Sequence, residues 1–305
     1  MFNNPEVKSM CYFNFGWSSN HWMAHARENL IYLNKGIDNG LESGDFVYAA
    51  YCMAAALITM TGIGENLNTV YSKSHSYLNT LKQTKSKDKG ILSVCMLVKK
   101  FSSNLSGITQ DVLSLSGSNV SEEDYIDGDY IDGSYEFYFY KLYLLYLFGK
   151  FEEALKLADK SRKIIEKKIG VLYSIDFYYL YCLSITATYE KLSSAEQARY
   201  LKILKELQKK FKVWCKNCTE NFLHKYLLIK AEMVKIQKEG NSIAELYNDA
   251  IKAANESGYV QHEAIANELA GKYFMGKGIN SLATAYLKEA KYCYQKWGAS
   301  QKVAQ

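Results

Sequence analysis

Between Trp214 and Tyr226 the chain reads WCKNCTENFLHKY, which sets Cys215 and Cys218 in C-x-x-C spacing with His224 six residues further on. Two thiolates and an imidazole so close together could hold zinc, or the thiols could cycle to a disulfide. A structural zinc site takes four ligands. His224 is at most a third, and no second C-x-x-C or Cys/His pair lies nearby. A redox C-x-x-C belongs at a helix start that follows a strand, whereas a long basic helix is expected in front of this one. The stretch therefore reads as a hinge between stacked helical hairpins, with no metal expected. Trp214 and Phe222 are its core anchors, Thr219 caps the second helix, and His224 and Lys225 lie on the outer face.

Other constellations are weaker. His21 and His25 stand i, i+4 in HWMAH, with Glu28 within a turn of His25. On one helix they would share a face, but Trp22 stands where a zincin carries its glutamate, so both read as surface or interface residues. The acidic run SEEDYIDGDYIDGSYE (121–136) has seven acids, no base and a tandem DYIDG. Counted from Asp127, an EF-hand loop would need an oxygen ligand, glycine and glutamate where Ile131, Asp132 and Tyr138 stand, so calcium is not expected. Asp111, Glu232, Glu263 and Glu268 are acids on expected helices, without the paired partner that acid–base catalysis needs. Glu232 and Glu268 read as inter-helix hydrogen-bond formers. His75, Cys95 and Cys182 have no identifiable partners. There is no G-x-x-x-x-G-K-[ST] and no H-R-D or D-F-G element. No catalytic residue, cofactor or metal is expected, and the chain does not read as an enzyme.

The elements that carry these residues are helices. The 305 residues include 26 tyrosines, 19 glycines and one proline, Pro5. Such counts suit long helices joined by glycine-marked turns, with tyrosines filling the grooves between them. A period near 3.6 predicts helices over 20–42, 45–60, 65–83, 89–104, 109–116, 134–148, 151–167, 171–191, 195–213, 220–238, 241–257, 260–276 and 280–297. Nothing alternates at period two for long enough to make a strand, so the fold class is all-α. The net charge of +5 is uneven, basic over 196–216 and acidic over 121–136. Both stretches read as solvated faces, and nucleic acid is not an expected partner. Seven cysteines, mostly in apolar helical stretches, fit a reducing compartment. The N-terminus lacks the basic and apolar regions of a signal peptide. The most apolar run, 45–64, opens with an acid and ends in glycines, so it reads as a core helix without membrane insertion. A cytoplasmic location is expected.

The turns repeat in kind. GDFVYAAYCMAAA (44–56), GKFEEALKLADKS (149–161) and GINSLATAYLKEA (278–290) each open on glycine, with Ala49, Ala154 and Ala283 five residues on. Ala56, Ser161 and Ala290 stand twelve on. A fourth, from Gly240, fits with a one-residue slip through Ala244 and Ala250. Glycine ends the first helix in a left-handed cap, and alanines let the second approach it. Phe46, Phe151, Tyr247 and Leu287 are expected to fill the space beside them. This pattern resembles the tetratricopeptide repeat. The intervals between the glycines are irregular, so the repeats read as degenerate, with other helices between them.

From residue 211 onward the resemblance sharpens. Thr219-Glu220-Asn221-Phe222, Ala231-Glu232, Tyr247 to Ala254, Glu263 to Ala270 and Ala283 to Val303 follow, in order, motifs of the helical-repeat region of large multidomain sensor kinases. In that family a protein-kinase-like domain and a nucleotide-binding ATPase precede the repeats, and GAF and histidine-kinase modules follow. Thr219 replaces the family's proline. GLESGDFVYAAY, ITQDVLSLSG and LFGKFEEAL also resemble it, so the likeness spans roughly 20–303. It implies an irregular α-solenoid of tetratricopeptide-like hairpins. The domain reading is an N-terminal segment (1–19), N-terminal hairpins (20–116), an acidic loop (117–134) and one continuous solenoid of repeats (135–305). Tyr286 is expected to close the last hairpin, and Trp297 to close the core or to relay to a following domain. The function implied is a non-catalytic scaffold or regulatory module in signal transduction, bound to a protein partner or to adjacent kinase domains. One alternative is a piece of a multidomain kinase whose catalytic domains lie elsewhere. Another is a peptide or small-molecule receptor with a pocket at Tyr135, Tyr138, Tyr178 and Tyr181.

Overall fold

Where glycine closes one helix and alanines open the next, the two helices fold back on each other. The structure, a computed structural model, describes residues 5–117, 120–128, 134–168, 170–238 and 243–305. The second DYIDG copy and Gly240 lie outside them. Fifteen α-helices, and no strand, run through the described residues: α1 (Pro5–Asn14), α2 (Asn29–Ser43), α3 (Phe46–Gly62), α4 (Leu67–Gln83), α5 (Lys89–Ser106), α6 (Glu122–Ile126), α7 (Ser134–Leu147), α8 (Phe151–Ile165), α9 (Leu172–Thr188), α10 (Ser194–Asn217), α11 (Thr219–Gln237), α12 (Ile243–Glu256), α13 (Val260–Gly276), α14 (Asn280–Trp297) and α15 (Ser300–Ala304).

Helices α2–α3, α4–α5, α7–α8, α11–α12 and α13–α14 pack as adjacent pairs. Gly44, Gly149 and Gly278 turn three of these hairpins with φ of 81°, 74° and 73°, a left-handed conformation that costs glycine little. Ala49, Ala154 and Ala283 are buried behind them. A Cβ on Gly40 would lie 2.9 Å from that of Ala49, and one on Gly271 2.7 Å from Leu287 Cγ. Small residues thus set how closely the axes approach. Tyr247 is buried at its crossing, but Phe46 is 44% exposed: it opens α3, a turn before the axes converge. The fold is all-α, an irregular α-solenoid of tetratricopeptide-like hairpins.

The N-terminal region differs from expectation. Residues 5–14 form α1, and Phe13 packs its ring against Trp17, Tyr48 and Tyr51. The helix expected over 20–42 starts only at Asn29. Ahead of it, Asn20–Trp22 and Ala26–Glu28 are separate 3₁₀ turns, because side chains rather than the next turn satisfy the backbone there. The helix expected over 109–116 is a loop. Asp111 Oδ1 accepts from the Leu113 and Ser114 amides, and Asn104 Nδ2 donates to the carbonyls of Val112 and Ser114. In the acidic segment, α6 forms behind a Ser121/Asp124 capping box, with Glu122 paired to Lys141 at 2.8 Å.

The C-terminal end of the array folds back onto its N-terminal half. Helix α15 packs on α5, and Asn66 Nδ2 donates to the Lys296 carbonyl at 3.1 Å. An open solenoid has only nearest-neighbour contacts; this one is closed by contacts between residues some 200 apart in sequence. No helix among the described residues is long and apolar enough to cross a membrane.

Candidate functional site

Helix α9, LYSIDFYYLYCLSITAT, is apolar all round apart from one charge, Asp176. A helix of that kind is buried on every side, and its lone carboxylate must find a partner. Lys225 of α11 supplies it, with Nζ 2.6 Å from Asp176 Oδ1 and side-chain exposures of 0% and 3%. Burial raises the pKa of Asp176, and Lys225 opposes the shift. The same ammonium lies over the Tyr259 ring, 5.2 Å from its centroid, and donates to the Asn221 carbonyl.

Asn221 is the bolt of this junction. Its Nδ2 donates to the carbonyls of His21 (2.7 Å) and Ala24 (2.9 Å). Its Oδ1 accepts from the Ala26 amide (2.9 Å) and the Tyr259 hydroxyl (2.7 Å), so both donors and both acceptor lone pairs are used. Residues 20–28 are thereby strapped onto α11 and α13. His21 Nε2 and Trp22 Nε1 donate to the Gly170 carbonyl, and His25 Nε2 donates to that of Ser257. Gln261 Nε2 donates to Gly62 O at 2.8 Å. A Cβ on Gly64 would fall 1.9 Å from Gln261 Oε1, so a side chain at that turn would displace Gln261 and strain a backbone with φ of +76°.

A hydrogen bond of 2.9 Å joins His224 Nε2 to His262 Nδ1. Burial holds both imidazoles well below the usual histidine range, with Lys225 adding to the effect. Burial likewise brings His21 down to about 4. Three neutral imidazoles and one ion pair, sealed from solvent, hold elements together and have no open face for a ligand.

Several expectations are corrected here. His224 and Lys225 are core residues, because the face of α11 that bears them meets α9 and α13. His21 is buried and His25 half-buried; the broken helix takes them off any common face. Thr219 does not cap α11: it is the first helical residue, and its hydroxyl donates to the Cys215 carbonyl. Tyr138, Tyr178 and Tyr181 are buried, and Tyr181 donates to Asp159, so with Tyr135 they line no open pocket. Burial pushes the Cys215 thiol up to about 11 and Cys218 upward too, which makes both poor thiolates. No group of three or more His, Cys, Asp or Glu able to hold a metal occurs among the described residues.

Phe222 is fully buried and Trp214 half-buried, in a cluster with Phe211 and Trp22. Glu232 is buried and accepts from Tyr247 and Lys235, which joins α11 to α12. Glu268 accepts from Tyr294 at 2.7 Å and pairs with Lys272 and Lys302. Burial would raise its pKa, but the two lysines outweigh that and hold it below the usual carboxylate range. Tyr286 stacks on Phe274 and donates to Asn248 Oδ1. Trp297 is fully buried and stacks on Tyr143 at 6.0 Å. These contacts join helices to one another.

Helices α4 and α5 frame a different feature, a cavity of about 590 Å³ open to solvent. Lys82, Lys99 and Lys100 line it, together with His75, and none of the described carboxylates does. Leu78, Met96 and Ile108 add an apolar floor. Lys99 Nζ donates to His75 Nδ1 at 3.3 Å and lies over the Tyr71 ring. Charge here faces solvent, available to a ligand.

Residues 129–271 match the family described as CHK1-like, TPR repeats. This stretch is a tetratricopeptide-like helical-repeat region, a type of module that generally mediates protein interactions. It runs from α7 into α13 and contains Asp176, Asn221, Lys225 and Glu232. The strap and the α4–α5 cavity lie before it. None of the curated proteins compared with the chain is similar to it.

Proposed function

We propose that the chain is a non-catalytic scaffold or regulatory module of signal transduction that docks a protein partner in the α4–α5 groove. The observation that carries this reading is the groove itself, an open cavity with an apolar floor and cations that have no carboxylate partner among the described residues, set on a helical array. Grooves between stacked helices commonly take a helix or an extended peptide. The likeness of the chain to the repeat region of sensor kinases supports a partner among signalling kinases, or the adjacent domains of one, and a cytoplasmic setting. In this reading residues 135–305 act as one continuous unit that holds the groove-bearing hairpins in place.

The test is site-directed photo-crosslinking in cells, with a photoreactive residue at position 100 in the groove or at exposed position 153 on α8. A discrete protein adduct from position 100 alone is the expected result. Equal adducts from both positions, or ATP hydrolysis by the purified chain, would contradict the proposal.

A further inference from the structure

Residues 67–106 contain seven lysines and a single acid, Asp88. Asp88 is already engaged: its Oδ1 accepts from the Ile91 amide at the start of α5, and its Oδ2 from Tyr51. Less exposed lysines elsewhere have carboxylate partners, as in Lys141–Glu122, Lys225–Asp176 and Lys302–Glu268 at 2.8, 2.6 and 3.1 Å. Among the described residues, Lys82, Lys99 and Lys100 have no carboxylate within ion-pair distance. Lys99 is half-buried, yet it makes do with a neutral ring and an imidazole nitrogen. A half-buried cation without a counter-charge is costly, and a ligand that brings one gains from it.

The rest of the lining narrows the class of ligand. Ile108 is 53% exposed beside Leu78 and Met96, an aliphatic floor that suits an apolar side chain. Single-stranded nucleic acid would want flat aromatic faces for its bases, and the Tyr71 face is covered by Lys99.

We propose that the groove receives an acidic segment of a protein partner. Its carboxylates pair with Lys82, Lys99 and Lys100, while an apolar side chain between them packs against Leu78, Met96 and Ile108. The inference rests on the docking function proposed above and names the chemistry of the docked segment.

The experiment is fluorescence anisotropy on the full chain. The probe is a labelled glutamate-rich peptide with leucines at helical spacing. Its glutamine and lysine counterparts and a labelled single-stranded oligonucleotide run beside it. The acidic peptide alone should saturate, its affinity should fall steeply with added salt, and K82E/K99E/K100E should weaken it by roughly tenfold or more. The milder K82Q/K99Q/K100Q serves if charge reversal disturbs folding, which circular dichroism reports, and it should weaken binding in the same direction. Equal binding of the glutamine or lysine peptide would overturn the acidic assignment and leave groove docking standing. Tighter binding of the oligonucleotide would overturn the assignment too. Binding of none of the probes, with the fold intact, would remove both readings.

Discussion

Two sets of charges sit in this molecule in opposite states. At the junction of α9, α11, α13 and the 20–28 strap, Lys225 and Asp176 are sealed from water and paired at 2.6 Å. In the α4–α5 groove, three lysines line an open cavity without a carboxylate partner among the described residues. The first arrangement commits its charge to holding helices in register. The second leaves its charge available, which is what recognition of another molecule needs. The same residue type therefore builds the fold in one place and faces outward in the other, and burial with a partner decides which.

The sharpest way to break this contrast is at the junction. K225M should leave Asp176 buried and alone, a loss of about 3–5 kcal/mol in urea unfolding. Adding D176L to K225M should recover most of that loss, because an apolar pair of similar volume needs no counter-charge. A double variant as unstable as the single one would mean that the loss comes from the Lys225 contacts to Asn221 and Tyr259 and not from a stranded carboxylate.

N221A should cost about 2–4 kcal/mol, since it strands buried backbone groups of His21, Ala24 and Ala26 together with the Tyr259 hydroxyl. Hydrogen exchange of the amides in 20–28 should accelerate with it. Unchanged exchange there would show that the strap is held by other contacts.

Acid sharpens the comparison through the histidines. His21, His224 and His262 stay neutral in the fold, while the unfolded chain protonates them near pH 6.5. Below that pH the unfolded state binds more protons, so stability falls with pH by up to about 1.4 kcal/mol per unit per histidine. Glu136, raised by burial to about 7, works the other way, because the folded chain binds its proton first as pH falls. Asp176 acts in the same sense. E136Q should therefore steepen the loss of Tm below neutral pH, and a shallower loss would reverse the assignment.

At the small end, C215S/C218S should shift stability by no more than about 1 kcal/mol and leave metal content by elemental analysis unchanged. Zinc bound to the parent chain and absent from the variant would reopen the C-x-x-C reading.

The hairpins were legible because glycine and alanine recur where axes cross, and that rule survives in Gly44–Ala49 and Gly278–Ala283. The junction was not, because a polar residue in an amphipathic helix reads as outward unless its partner is known. Lys225 and His224 meet theirs on α9 and α13, 49 and 38 residues away in sequence. A signal did exist: Asp176 is a lone acid in a helix with no polar face, and an acid there demands a buried cation. The break at 20–28 was hidden for a related reason, since its backbone is satisfied by Asn221, some 200 residues away. The groove lay outside the motif-bearing stretches, and its lysines declare themselves only once α4 and α5 face each other.

The most direct test sets the two regions side by side in urea. K82E/K99E/K100E should unfold at the midpoint of the parent chain, within about 0.5 kcal/mol, while K225M alone unfolds at a far lower one. Equal losses in the two variants would contradict the division between structural charge at the junction and available charge in the groove.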